Sequence, residues 1–386
     1  GMVNQDELDD LDYESQAVLK ELLQVEDTGV QGRLWASSRP GADSDLPFAQ
    51  VSKLSVPESQ VQSWGLDILG MTPDGLRELM HYIFFDSKIG QLTGRSFTDV
   101  ATFARFNELV KAGYNNNPYH NYSHACDVVA SVNRFLVQVR CEVWLSDIDM
   151  FAMLVAALCH DLGHTGRTNI FLVETMHELA VRYNDRSPLE NMHCSRLFQL
   201  CSLPGSNVFG KFEQDAFKQA RKACINCILY TDNAHHFDMV KEVKVAYEIS
   251  ADICDSQASS KNELQPHYLE EVLYKNVTMW HKLILHLCDV ATPLKPFHIS
   301  RAWATLVQDE FFSQGDEEKK SGLPVGMLND RDKVVRSGAE HGFITFLVAP
   351  LVVATISILP STFSLGTEML NNLQEWRGPW GRGGEP

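Results

Sequence analysis

The chain reads as an all-α protein built around a single large multi-helix domain, and three observations predict this. From Trp64 onward apolar residues recur at three- and four-residue intervals almost without a break, the period of helices with one buried face. Strand-like alternation is scarce, and no internal repeat of roughly 20–50 residues is evident. At 386 residues, with 44% hydrophobic and 22% charged side chains, the chain can bury a large core and has an ordinary globular composition.

Taken in order, residues 1–63 divide in two. Asp6 to Glu26 is acidic, with Leu8, Leu11, Val18, Leu19 and Leu22 at helical spacing; Ala36 to Pro47 is a Ser-, Pro-, Gly- and Asp-rich linker. The first stretch predicts a helix that packs on the main domain, pairs two copies into a homodimer, or has no visible role. The domain proper spans residues 64–376. Behind His124, the residues Ala125, Val128, Val129, Val132, Phe135, Leu136 and Val139 form one wide apolar stripe. Ser146 with Asp149 makes a weakened capping box that opens a run through Ile148, Phe151, Ala152, Val155 and Leu158. That run stops at His160-Asp161, near Gly163. Leu283, Ile284, Leu287 and Cys288 lead into Asp289, and Pro293 and Pro296 end that helix. Ser313 to Gly338, with its charges, glycines and Pro324, predicts a long mobile loop. Phe343 to Leu359 is about the length of a short membrane span. Pro350 breaks it and Pro360 stops it, so the expectation is a kinked, buried core helix and no membrane span. Residues 377–386 read as a flexible tail.

The net charge of −17 argues against nucleic acid as a partner, because phosphate backbones are held by Lys and Arg. An anionic substrate stays open, since a bound dication reverses the field of one pocket. Nine cysteines lie in apolar or helical contexts rather than at framework spacings. With no signal peptide at the start, they predict reduced thiols and a cytoplasmic setting. The lone Cys224-Ile225-Asn226-Cys227 has no second pair, which favours buried thiols over zinc or redox use.

The chemistry is carried by His124, the pair His160-Asp161 and the distant Asp289, each where an apolar helical pattern begins or stops. Imidazole plus carboxylate suits a divalent cation that keeps positions open for water and substrate. Asp161 has two oxygens and could reach a second ion. His120 lies four residues before His124, so both face one cavity if that turn is helical. An imidazole not spent on metal can serve as a general acid.

These strings resemble a known family. His…His-Asp…Asp is the pattern of the His-Asp metal-dependent phosphohydrolases, and the longer strings narrow it to the class I 3′,5′-cyclic-nucleotide phosphodiesterases. They are Tyr119-His120-Asn121-x-x-His124, His160-Asp161-x-x-His164, Leu189-Glu190-Asn191, Thr231-Asp232 and Glu310-Phe311-Phe312-x-Gln314-Gly315-Asp316, in the family's order. The likeness runs from Trp64 to Trp376, about four-fifths of the chain. It implies a helical catalytic domain with a metal site at the bottom of a central pocket, hydrolysing cAMP or cGMP to 5′-monophosphates. By the resemblance, His124, His160, Asp161 and Asp289 bind zinc, and Asp161 bridges to magnesium or manganese. His164, Glu190 and Thr231 orient waters on the second ion. A metal-bridging hydroxide attacks phosphorus, His120 protonates the leaving 3′-oxygen, and Glu310 holds His120. Phe343 matches the aromatic that stacks on the base, with Val307 and Phe311 around it and Tyr119 and Thr292 also lining the substrate site.

Three positions depart from the pattern. The family's Gln three residues before the stacking Phe is Glu340 here, in Glu340-His341-Gly342-Phe343. An amide donates and accepts, whereas an ionised carboxylate only accepts. Glu340 is therefore expected to weaken base recognition or to work partly protonated, tolerating the adenine amino group and repelling guanine O6. Thr292 stands where adenine-preferring relatives often have Asn. The family's common Asp in the His-Asp-x-Asp-His string is Gly163, and no metal ligand is lost by that change. The alternatives are another His-Asp nucleotide phosphohydrolase and a catalytically silent cyclic-nucleotide binding module.

Overall fold

The computed structural model describes residues 54–260 and 263–377, and every regular element among them is helical, with no strand. The acidic helix expected over Asp6–Glu26, the Ala36–Pro47 linker and the tail beyond Arg377 lie outside the described residues. The described residues form two compact units: residues 54–57, 68–129 and 147–225, and residues 58–67, 130–146 and 226–377.

In the first unit, helices start where a side chain satisfies an otherwise unpaired backbone N–H. Thr72 accepts from Gly75 N at 3.1 Å ahead of Pro73–His81, and Ser87 from Gly90 N at 3.0 Å ahead of Lys88–Phe97. Asp99 accepts from Thr102 N at 2.9 Å ahead of Val100–Gly113. A single wide π-type turn, Tyr82–Asp86, joins the first two helices. It turns Phe84 and Phe85 inward, with the Phe84 ring 4.2 Å from that of Phe103 and edge-on to Phe151 at 6.1 Å. Lys88–Phe97 lies so close to this turn that a Cβ on Gly94 would overlap Phe84 O and one on Gly90 would crowd Ile83 O. Only glycine allows that approach. Asp147–Cys159 is the core helix. Every residue from Met150 to Cys159 is buried, which is why this segment carries a weak polar face in the sequence.

In the second unit, Val277–Asp289 and Ala349–Ile358 both pack on His236–Ile249. Trp280 is fully buried, donates Nε1–H to Leu273 O at 2.8 Å and lies 5.7 Å from the Trp144 ring. Two buried imidazoles meet between helices: His236 Nδ1 and His286 Nε2 share a hydrogen bond of 2.9 Å. One nitrogen must donate and the other accept, so the pair is stable with both rings neutral. Burial pushes His286 down to about 4, with Asp289 opposing and His236 adding to the shift; burial lowers His236 too. A folded pKa below the unfolded value means stability is complete above about pH 6.5 and is lost as pH falls toward 4. His286 alone is expected to account for roughly 3 kcal/mol of that loss. Urea unfolding between pH 7 and pH 4 measures it, and His286→Gln should flatten the slope.

Two expectations for this unit are corrected. Ser313 to Gly338 is not one mobile loop, because the Phe297–Lys320 helix continues through its first third. The residues after it are pinned by the charges that suggested mobility. Buried Glu318 accepts from Gln314 Nε2 (2.8 Å), Gly326 N (2.8 Å) and Asn329 Nδ2 (2.9 Å), and Arg331 grips Asp316 with two bonds of 3.1 and 2.6 Å. Paired locally, these charges order the backbone. Phe343 to Leu359 is likewise not buried throughout. Arg336–Phe343 passes into a wide turn, Ile344–Val348, and then Ala349–Ile358. The wide turn precedes Pro350, whose ring nitrogen cannot donate back to the helix. Leu351, Val352, Ala354 and Ile358 are buried, whereas Phe346 is 73% and Val353 56% exposed. Arg336–Ile358 is long and apolar enough to cross a membrane by length and composition, with 39% of its most apolar window buried.

Candidate metal centre

The first unit carries seven of the predicted site residues. Asn121 accepts from His124 N at 3.1 Å, starting the Tyr122–Gln138 helix and placing His124 in its first turn. His120 sits just before that helix, so the 120–124 turn is not itself helical; the two rings are still 5.9 Å apart, with Tyr119 packed 4.8 Å from His120 and 4.5 Å from His124. Asp147–Cys159 ends immediately before His160-Asp161. Tyr114 braces that end, donating its O–H to Leu158 O at 3.0 Å and accepting from Asp161 N at 3.3 Å. Asn115 and Asn117 each donate to His164 O at 2.8 Å, and Asn117 also donates to His120 O at 2.9 Å. The His120 and His164 rings stack at 3.9 Å.

Asp161 is the focus. Its Oδ2 lies 3.3 Å from His160 Nε2 and 3.6 Å from His124 Nε2, and its Oδ1 lies 3.8 Å from His193 Nε2. Backbone partners set two of the tautomers. His160 Nδ1 faces Ala157 O at 2.8 Å and His193 Nδ1 faces Leu162 O at 3.0 Å, so each must donate there. In the neutral rings, both Nε2 lone pairs then face a carboxylate that also carries only lone pairs. Acceptors opposed in this way are relieved by a positive charge between them, either a proton on a ring or a metal ion, and the donor set fits a divalent metal. His164 has the opposite arrangement: its Nδ1 accepts from Gly166 N at 3.0 Å, so in the neutral ring Nε2 carries the proton and is the donor.

The electrostatics agree. Burial works to raise Asp161, but the imidazoles of His160, His120 and His164 outweigh it and hold the carboxyl well below the usual carboxylate range. Burial pushes His193 down to about 4, although Asp161 opposes the shift, so its lone pair is available at neutral pH. Glu190, buried one turn before His193, accepts from Asn169 Nδ2 at 2.8 Å, while Asn169 Oδ1 accepts from Leu189 N at 3.0 Å. His193 was not among the expected site residues. Its spacing from Glu190, i to i+3 on one helix, was the available signal.

The remaining predicted residues belong to the second unit. Asp289 is the last residue of Val277–Asp289, and Thr231 is buried with its hydroxyl on Ile228 O at 2.8 Å. Phe297–Lys320 carries partly exposed Val307 and Phe311 and buried Glu310. Glu340 is buried and accepts from Gln308 Nε2 at 2.9 Å; Phe343 and Thr292 are partly exposed. Burial raises the Glu340 carboxyl, with the Gln308 bond opposing.

Among the described residues, an all-helical fold with imidazoles gathered on one buried carboxylate defines a candidate helical metalloprotein. The family model described as 3′5′-cyclic nucleotide phosphodiesterase matches residues 119–369. High affinity cGMP-specific 3′,5′-cyclic phosphodiesterase 9A of Pan troglodytes is 33% identical over 296 residues, covering 76% of this chain and 46% of the relative. Dual specificity calcium/calmodulin-dependent 3′,5′-cyclic nucleotide phosphodiesterase 1B of Rattus norvegicus is 34% identical over 281 residues, covering 71% and 48%. The crystal structure of the phosphodiesterase domain of the RhoPDE fusion protein from Salpingoeca rosetta superposes with a TM-score of 0.73 at 29% identity, covering 82% of this chain and 94% of that one. The chain spans about half the length of the curated relatives it matches. It belongs to the 3′,5′-cyclic nucleotide phosphodiesterase family.

Proposed function

We propose that the chain hydrolyses 3′,5′-cyclic nucleotides to 5′-nucleoside monophosphates. The observation that carries this reading is the buried Asp161 carboxylate faced by the lone pairs of His160 and His193, beside the stacked His120 and His164 rings. His124, His160, Asp161 and Asp289 would hold a first divalent ion, zinc, and Asp161 would also reach a second, magnesium or manganese. When bound, such ions supply an activated water and neutralise phosphate charge. His164, Glu190 and Thr231 would orient waters, His164 as the donor its tautomer makes it. His120 would donate a proton to the departing 3′-oxygen, with Glu310 holding its ring. Nine buried thiols support a reducing, intracellular setting for this reaction.

Phe343, with Val307, Phe311, Tyr119 and Thr292, would receive the nucleotide, and Glu340 would read the base. A protonated carboxyl resembles an amide: one oxygen accepts, here from Gln308, and the other donates. Base recognition would then weaken as pH rises and Glu340 ionises. Glu340→Gln is expected to lower KM for the preferred nucleotide about tenfold at pH 8 and to remove the pH dependence of KM, a gain on the scale of one buried hydrogen bond. Metal-supplemented hydrolysis of cAMP and cGMP, side by side and across pH 6–9, tests both claims. Absence of turnover with metal and nucleotide both bound would replace the hydrolase reading with a binding module.

A further inference from the structure

One turn beyond His193, the Pro188–Cys201 helix carries Arg196, partly buried as a residue but with Nη1 sealed from solvent and lacking a hydrogen-bond partner among the described residues. Its guanidinium lies against Gly163, two residues after Asp161. A Cβ at Gly163 would overlap Nη1 and come within 3.0 Å of Nε. Gly163 also has φ +81°, where a side chain is strained. The arginine therefore occupies space that exists only because residue 163 has no side chain. A cation stands behind the loop that carries Asp161.

We propose that Arg196 is a resident cation of the metal loop, admitted by Gly163, which weakens the hold of the centre on its second divalent ion and so sets the metal concentration at which the protein works. The inference rests on the metal-centre reading of Asp161. The geometry is that of a single loop: Gly163 bears on Arg196, Asp161 is two residues back, and His193 on the arginine's own helix faces Asp161 Oδ1 at 3.8 Å. A positive charge at this range opposes a dication more strongly than it opposes a proton.

The test is a Mn2+ titration of the chelator-stripped chain, followed by electron paramagnetic resonance of free Mn2+, which needs no turnover. Arg196→Met, close in shape and uncharged, is expected to tighten the weaker Mn2+ site about tenfold, while Arg196→Lys stays near the parent. Equal affinity in Arg196→Met and the parent would overturn the proposal. Equal tightening in the Met and Lys variants would also overturn it, by assigning the effect to packing. Mn2+ binding by none of the proteins would remove the metal-centre reading itself. Should Arg196→Met fold poorly, the paired exchange provides the second route. Gly163→Asp alone is expected to lower Tm sharply, and adding Arg196→Val to recover the part of that loss due to the overlap, but not the part due to φ +81°, and to bind Mn2+ more tightly than Gly163→Asp alone. A double variant that stays as unstable as the single one, or binds no tighter, counts against the pairing.

Discussion

Asp161→Ala is expected to lower kcat for cyclic-nucleotide hydrolysis about 10,000-fold or more, the largest effect of any single substitution in this chain. His160, His124 and His193 all turn a nitrogen toward this one carboxylate, so its loss leaves three imidazoles without the group they converge on. Its backbone N–H rests on the Tyr114 hydroxyl, which is independent of the side chain, so the loop should survive the change. The measurement is steady-state hydrolysis at saturating Mn2+ or Mg2+ beside near-ultraviolet circular dichroism of the same preparation. An unaltered spectrum with activity within tenfold of the parent would show that the carboxylate does not hold the reacting centre. Asp161→Asn sharpens the test, because it keeps the shape and hydrogen-bonding capacity while removing the charge that opposes the imidazole lone pairs.

His120→Ala is expected to cost about 100- to 10,000-fold in kcat with cAMP or cGMP, the range of a lost general acid. The ring lies between Tyr119 and His164, stacked on the latter at 3.9 Å, and its carbonyl is tied to Asn117. Position rather than mere presence is therefore built into the fold. An alkoxide leaving group needs the proton, whereas a nitrophenolate does not. The loss should accordingly shrink to about tenfold or less with an activated nitrophenyl phosphodiester, at unchanged metal content. A similar loss on both substrates would assign His120 to structure or metal binding instead.

How legible the centre is in the sequence depends on whether its contacts are local. The end of Asp147–Cys159 at His160 follows from where an apolar run meets Asp-Leu-Gly, and the start of Tyr122–Gln138 follows from Asn121 before it. Both are short-range events governed by backbone satisfaction; the first was read from the sequence, and the second was placed only as an apolar pattern beginning behind His124. His193, Tyr114 and Arg196 reach the same loop from other helices, and no spacing announces that Tyr114 will brace Leu158 O and Asp161 N. Charge misled at Ser313–Gly338. A run of Asp, Glu, Lys and Arg looks like solvated loop until Glu318 and Asp316 are seen to collect partners from residues 326–331. Apolar content misled at Phe346 and Val353, because composition says how hydrophobic a helix is and not which face finds a neighbour.

The contact of Lys88–Phe97 with the turn at Tyr82–Asp86 has a consequence for reading variation in this protein. Gly90 and Gly94 touch main-chain oxygens that cannot swing aside, so a saturation library screened for function should be nearly empty at both codons. Depletion there would match that at Asp161 in depth, although neither glycine meets a reactant. Intolerance scores alone would therefore draw a false second hot spot in the first unit. Sorting survivors by soluble yield before activity would separate positions that make the molecule from positions that make it work.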